Sequence, residues 1–177
     1  MDQGQTLPLL WLLSDARNDA KLERALAALP RGSGFVFRHY HLDPVQRRAR
    51  FDRLADLGRQ NGHRIVLAGN VQDSAAWGAD GVYGTVGQIA PLDAGLRLGT
   101  VHGGDELQAA NRAGIDGVFL SPVFPTRSHP GQKTLGLQRF RVLAQQALIP
   151  VIALGGMTAE RARELDWPRW GAIDGLA

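Results

Sequence analysis

Ala113-Gly114-Ile115-Asp116-Gly117-Val118 reads as a joint between two elements. Ala113 closes a helix, Gly114 takes the left-handed turn at its end, and Asp116-Gly117 leads into an apolar strand. The pattern returns at Trp77-Gly78-Ala79-Asp80-Gly81-Val82 and again at Gly171-Ala172-Ile173-Asp174-Gly175-Leu176. One joint used at three places marks a repeated βα unit with no domain boundary between copies. Residues 1–177 are therefore read as a single domain.

Outward from these joints the chain alternates. Short apolar runs at 9–13, 35–38, 65–68, 81–83, 96–102, 118–120 and 150–154 read as strands, and an eighth is expected at 173–177. Helical patterns fall between them at 19–29, 43–62, 72–77, 105–113, 137–148 and 158–165, while 84–95 reads as irregular. Asp43-Pro44 suits a helix start, because proline fits a first turn that needs no N–H, and Pro30 stops the preceding helix. Strands of about 4–7 residues alternating with helices give a parallel sheet. Eight such units close into a (β/α)8 TIM barrel. The alternative, an open doubly wound sheet, lacks support because no Gly-x-Gly-x-x-Gly follows the first strand. The barrel would be short, below the roughly 200 residues usual for this fold. The chain would end inside its last strand, without a final helix.

Two stretches carry candidate chemistry. After the sixth strand, Pro122 ends regular pairing because it has no N–H for a ladder. The loop that follows holds hydroxyls at Thr126, Ser128 and Thr134, an imidazole at His129, and cations at Arg127 and Lys133. Loops leaving the C-terminal ends of buried strands are where α/β proteins place their chemistry. These donors suit a phosphate or pyrophosphate; a solvated basic loop would read the same. The second stretch is Ile149-Pro150-Val151-Ile152-Ala153-Leu154-Gly155-Gly156-Met157-Thr158. Its glycines let backbone approach a ligand, and the free N–H groups of the following helix start favour an anion. The plainer alternative is a tight turn.

Composition bounds the rest. The chain has 177 residues, 44% of them hydrophobic, enough for one globular core. No run of about 18 apolar residues and no signal peptide is present, which points to a cytoplasmic protein and no membrane partner. Zero cysteines exclude disulfides, thiolate metal sites and a cysteine nucleophile. The net charge is +3, and the basic residues, almost all arginine, are scattered without interleaved aromatics. Nucleic acid is therefore not an expected partner.

Ser121-Pro122-Val123-Phe124-Pro125-Thr126 with Ser128, Pro130-Gly131 and Leu135-Gly136-Leu137 resembles the sixth-strand loop of the thiamine phosphate synthase and thiazole tautomerase superfamily. Residues 149–157 resemble its Gly-Gly-Met loop. Leu12-Leu13-Ser14-Asp15, Phe37-Arg38, Gly78-Ala79-Asp80-Gly81-Val82 and Thr100-Val101-His102 extend the likeness along nearly the whole chain, most strongly after Trp77. The resemblance implies a protein of thiamine biosynthesis that joins a pyrimidine methyl diphosphate to a thiazole phosphate with loss of pyrophosphate. It implies magnesium and basic residues that stabilise the leaving diphosphate. It places Arg38, Thr100, Thr126, Ser128, Gly155 and Gly156, with Met157, around a phosphorylated small molecule.

The departures from the pattern are as informative. The lysine two places after the strand-two arginine falls on Tyr40, and the lysine after the hydroxyl pair falls on His129. The positions of the two magnesium carboxylates fall on Ala68-Gly69 and near Ala90, so the metal ligands are not found; Asp73 and Asp93 are the nearest substitutes. Tight magnesium binding is not expected, and turnover should be very low or absent. Gly69 resembles the replacement for the metal aspartate in the metal-independent tautomerase branch, but Pro122 stands where that branch has a histidine. A proton shuttle would then fall to His129 or His102. His129 and Ser128 are thus the catalytic candidates. Arg38, Thr100, His102, Thr126, Lys133, Gly155, Gly156 and Met157 are the substrate-binding candidates. His39, His41 and His63 are expected to be exposed. Three readings stay open: a transferase, a tautomerase-like enzyme, and a non-catalytic barrel that holds a phosphorylated ligand. A homodimer that covers the side lacking a final helix is also expected.

Overall fold

The computed structural model describes residues 6–91 and 95–177. Within them, parallel strands close on themselves in chain order: β1 Leu10–Leu13, β2 Gly34–Phe37, β3 Arg64–Ala68, β4 Gly81–Thr85, β5 Leu96–Val101, β6 Gly117–Leu120, β7 Val151–Ala153 and β8 Trp170–Ala172. The helices are α1 Leu22–Ala28, α2 Pro44–Gln60, α3 Val71–Ala76, α4 Val86–Ile89, α5 Gly104–Ala113, α6 Gly136–Gln146 and α7 Ala159–Leu165. A 3-10 turn at Ala16–Lys21 precedes α1. The (β/α)8 barrel reading holds. No helix among the described residues is long and apolar enough to cross a membrane.

Apolar runs without polar alternation are required here because each strand is covered on both faces. Trp11, Leu13, Val36, Val66, Leu98, Phe119 and Ile152 point into the barrel, where Trp11 meets Phe119 edge-on at 5.8 Å. Their neighbours Leu12, Phe35, Phe37, Ile65 and Leu67 pack outward against α1 and α2. The indole of Trp11 lies across β2 at Gly34, where an added Cβ would stand 2.1 Å from Trp11 Cε3.

The repeated joint works as read at two of its three places. Gly78 (φ 67°) and Gly114 (φ 57°) take the left-handed turn. Asp80 and Asp116 then accept hydrogen bonds from the second residues of β3 and β5, Ile65 N–H at 2.7 Å and Arg97 N–H at 2.8 Å. The third place is a correction. Gly171-Ala172 lies inside β8, because Trp170 pairs with Leu10 and Ala172 with Leu12. The left-handed end of α7 belongs to Asp166 instead (φ 52°). The eighth strand is thus Trp170–Ala172 rather than 173–177, and residues 173–177 form a loop at its C-terminal end. A second correction concerns 84–95. A short helix, α4, opens this stretch, held by a capping box between Thr85 and Gln88. The exposure expected for histidines holds only for His41; His39 and His63 are buried, 1% and 4% exposed.

Candidate active site

The C-terminal ends of the strands surround a cavity of about 380 Å³, within the range of small-molecule sites. Its floor is Tyr83, Thr100 and Ser121, from β4, β5 and the end of β6. Burial raises the Tyr83 phenol pKa, so the group is a neutral donor at the bottom of the site.

One wall comes from the ends of β1 and β2. The Arg38 guanidinium donates to the Ser14 carbonyl at 3.0 Å and to Asp15 Oδ2 at 2.8 Å. Its backbone N–H donates to Ser14 Oγ at 2.7 Å. The arginine expected at this rim is therefore fixed before any ligand arrives. Burial works to raise the Asp15 carboxyl, but the Arg17 N–H and the Arg17 and Arg38 charges outweigh it and hold the pKa below the ordinary range.

The facing wall joins the loops after β6 and β7. Val123 N–H donates to the Leu154 carbonyl at 2.9 Å and Phe124 N–H to the Gly155 carbonyl at 3.1 Å. This packing explains the glycine pair: a Cβ on Gly155 would meet Pro122 Cα at 2.6 Å, and one on Gly156 would meet the Pro125 oxygen at 2.4 Å. Both also hold positive φ, 99° and 61°. Arg161, at the start of α7, donates to the Gly156 carbonyl and lies 5.0 Å from the Phe124 ring centre. Thr158 caps α7 by accepting from Arg161 N–H at 3.2 Å. Gly155, Gly156 and Met157 line the cavity beside Thr126, Ser128 and His129.

Of the catalytic and substrate-binding candidates named from the sequence, Lys133 alone does not line this cavity; it is exposed. His102 lines the site but is tied to α5, with its ring Nδ1 3.1 Å from Glu106 Oε2. The sequence reading missed Arg17, Arg161, Tyr83 and the Asp174-Gly175 loop, all of which line the cavity. Asp174-Gly175 was assigned to a strand; the positions of Arg17 and Arg161, each following a helix-capping Asp or Thr, were the available signal.

Among the described residues, the donor set does not fit a magnesium ion. Four guanidinium-bearing residues line the cavity, Arg17, Arg38, Arg127 and Arg161, against one described carboxylate, Asp174. That carboxylate is already in contact with Arg17. Hard cations need several oxygen ligands, most of them charged. Where the sequence comparison expects a metal carboxylate, the Ala68 carbonyl accepts from the Arg47 guanidinium at 2.6 Å. That cation rests over Phe37, Tyr40 and Trp77 at 5.4–5.8 Å. Asp73 bonds Asn70 at the start of α3 and does not line the cavity, and Asp93 lies outside the described residues.

Known proteins match along most of the chain. The thiamine-phosphate synthase of Chloroflexus aurantiacus is 31% identical over 181 residues, 95% of this chain and 82% of that protein. The thiamine-phosphate synthase of Pyrococcus furiosus is 24% identical over 180 residues, 95% of this chain and 83% of that protein. Two further relatives, from Aquifex aeolicus and Geobacter sulfurreducens, are matched over 34% and 32% of their own length. The solved structure of a thiamine phosphate pyrophosphorylase from Pyrococcus furiosus superposes with a TM-score of 0.78 at 21% identity, covering 93% of this chain and 84% of that one. The sequence model of the thiamine monophosphate synthase family matches residues 10–167. With that match and a full-length relative at 31% identity, the chain belongs to the thiamine monophosphate synthase family.

Proposed function

We propose that this protein is a thiamine phosphate synthase-type transferase in which arginines do the electrostatic work that a metal would share. It joins a pyrimidine methyl diphosphate to a thiazole phosphate. The bond between the pyrimidine methylene carbon and the diphosphate oxygen breaks, the thiazole nitrogen bonds to that carbon, and pyrophosphate leaves. The observation that carries this reading is a cavity with Arg38 on one wall and, on the facing wall, Thr126, Ser128 and His129 beside the Gly155-Gly156-Met157 turn. Negative charge grows on the departing diphosphate, and fixed guanidinium and hydroxyl donors facing it lower the barrier. Arg38 is suited to this because its anchors on Ser14 and Asp15 hold it without reorganisation. The glycine turn takes the thiazole phosphate. His129 stands beside the hydroxyl pair as a further donor.

The reading includes a cytoplasmic setting and a homodimer; light scattering decides the latter. The test of the reaction is a coupling assay with both precursors. Thiamine phosphate should form, at a rate well below the roughly 10 per second typical of enzymes. Arg38→Gln should lower that rate by about a hundredfold, since one preorganised charged donor at a developing anion is worth about 3 kcal/mol. No product above the uncatalysed rate, or an Arg38→Gln variant as fast as the parent, would sink the proposal.

A further inference from the structure

Arg17 bridges two loops across the mouth of the cavity. It lies in the 3-10 turn that follows β1. Its Nε stands 3.0 Å from both carboxylate oxygens of Asp174, in the loop after β8. Its Nη2 donates to Ser128 Oγ, in the loop after β6, at 3.0 Å. Arg17 N–H donates to Asp15 Oδ1 at 3.2 Å, which holds the turn in place. One guanidinium therefore holds the Ser128 hydroxyl through Nη2 and the Asp174 carboxylate through Nε.

A phosphate oxygen can replace that carboxylate oxygen without moving the donors, and phosphate brings the larger charge. The Arg17–Asp174 contact is easy to exchange. Its side chains are 26% and 44% exposed, so water screens the attraction and the pair holds only weakly. Asp174, once released, regains its water. From this we infer that Arg17 and Ser128 form an anion subsite for a phosphate or diphosphate group, and that Asp174 is its built-in competitor. The inference rests on the transferase reading, in which this subsite adds positive charge at the leaving diphosphate. It also gives the loop after β8 a role: Asp174 makes the subsite reject singly charged anions, which cannot displace it as well as diphosphate does.

Titration calorimetry with magnesium-free inorganic pyrophosphate tests this on the full chain. Asp174→Asn should bind pyrophosphate several-fold more tightly, and Arg17→Gln about tenfold more weakly, the usual cost of one charge-assisted hydrogen bond. In Arg17→Gln, the further change Asp174→Asn should bring no gain, because the competition acts through Arg17. An equal gain with or without Arg17 would reduce Asp174 to a background charge and overturn the inference. So would an Asp174→Asn variant that binds no more tightly than the parent. If, in either of those cases, Arg38→Gln still loses pyrophosphate binding, the transferase site stands and only the subsite falls. Failure of the parent and of Asp174→Asn to bind pyrophosphate at all would overturn both.

Discussion

His39 holds a left-handed backbone (φ 37°), a conformation that costs a non-glycine residue roughly 1–2 kcal/mol. The chain bears it because the ring is locked on both sides. Nε2 lies 2.6 Å from Asp19 Oδ1, and Nδ1 lies 2.8 Å from Ser14 Oγ. An ionised Asp19 can only accept, so the proton sits on Nε2, and the Ser14 hydroxyl donates to Nδ1. Ser14 Oγ in turn accepts the Arg38 N–H. The neutral ring thus aligns the residue that carries the arginine of the active site. Burial outweighs the pull of Asp19, and His41 and Arg50 add to it, so the His39 pKa lies below its ordinary 6.5. As pH falls below about 6.5, the unfolded chain takes up a proton that the folded ring refuses, and stability drops. Urea unfolding between pH 8 and pH 5, on the order of the His range, should show this slope in the parent and a shallower one in His39→Asn. Asparagine tolerates the left-handed backbone but loses both ring contacts, and should cost about 2 kcal/mol at neutral pH. Equal slopes would mean that another group carries the pH dependence. None of this was legible in the sequence. A histidine between an arginine and a tyrosine reads as exposed, and only the closed β1–β2 pair shows what covers it.

At the scale of elements, the legible parts were those whose chemistry is local. Asp80 and Asp116 follow left-handed glycines and bond the strand before them, as their sequence pattern implies. The Gly155-Gly156 pair was legible as a close-approach loop, though the approach it serves first is that of the β6 loop. The third Asp-Gly joint misled because a glycine inside a strand and a glycine ending a helix look alike over six residues. What separates them is a non-local fact, the pairing of Trp170 with Leu10 that closes the barrel. Gly34 shows the same limit. Nothing near it in sequence requires glycine, yet the Trp11 ring fills its missing side chain. Gly34→Ala should therefore destabilise the protein by about 3 kcal/mol, the upper range for overpacking a filled core. Chemical denaturation measures this. A loss below about 0.5 kcal/mol, the level of a neutral surface change, would show that Trp11 has room to move.

Across the whole molecule, closure of the barrel brings scattered cations to one rim. Arg17 follows β1, Arg38 ends β2, Arg127 lies after β6, and Arg161 opens α7. Their spacing in the chain hides this cluster, since a net charge of +3 spread over 177 residues does not show where the cations gather. Brought together, they give the cavity a positive field, which suits the diphosphate of the proposed reaction. The same field opposes a divalent cation, and among the described residues the single lining carboxylate is engaged by Arg17. The coupling reaction proposed for this protein runs on fixed guanidinium and hydroxyl donors, without a metal held by the protein. The most direct measurement is the rate of thiamine phosphate formation from both precursors, with the chelator EDTA and again with millimolar magnesium. The two rates should differ by less than about threefold, because no step of the proposed mechanism passes through a metal held by the protein. A fall of about tenfold or more under EDTA, equivalent to at least 1.4 kcal/mol of barrier, would contradict it and place a magnesium ion in the active site.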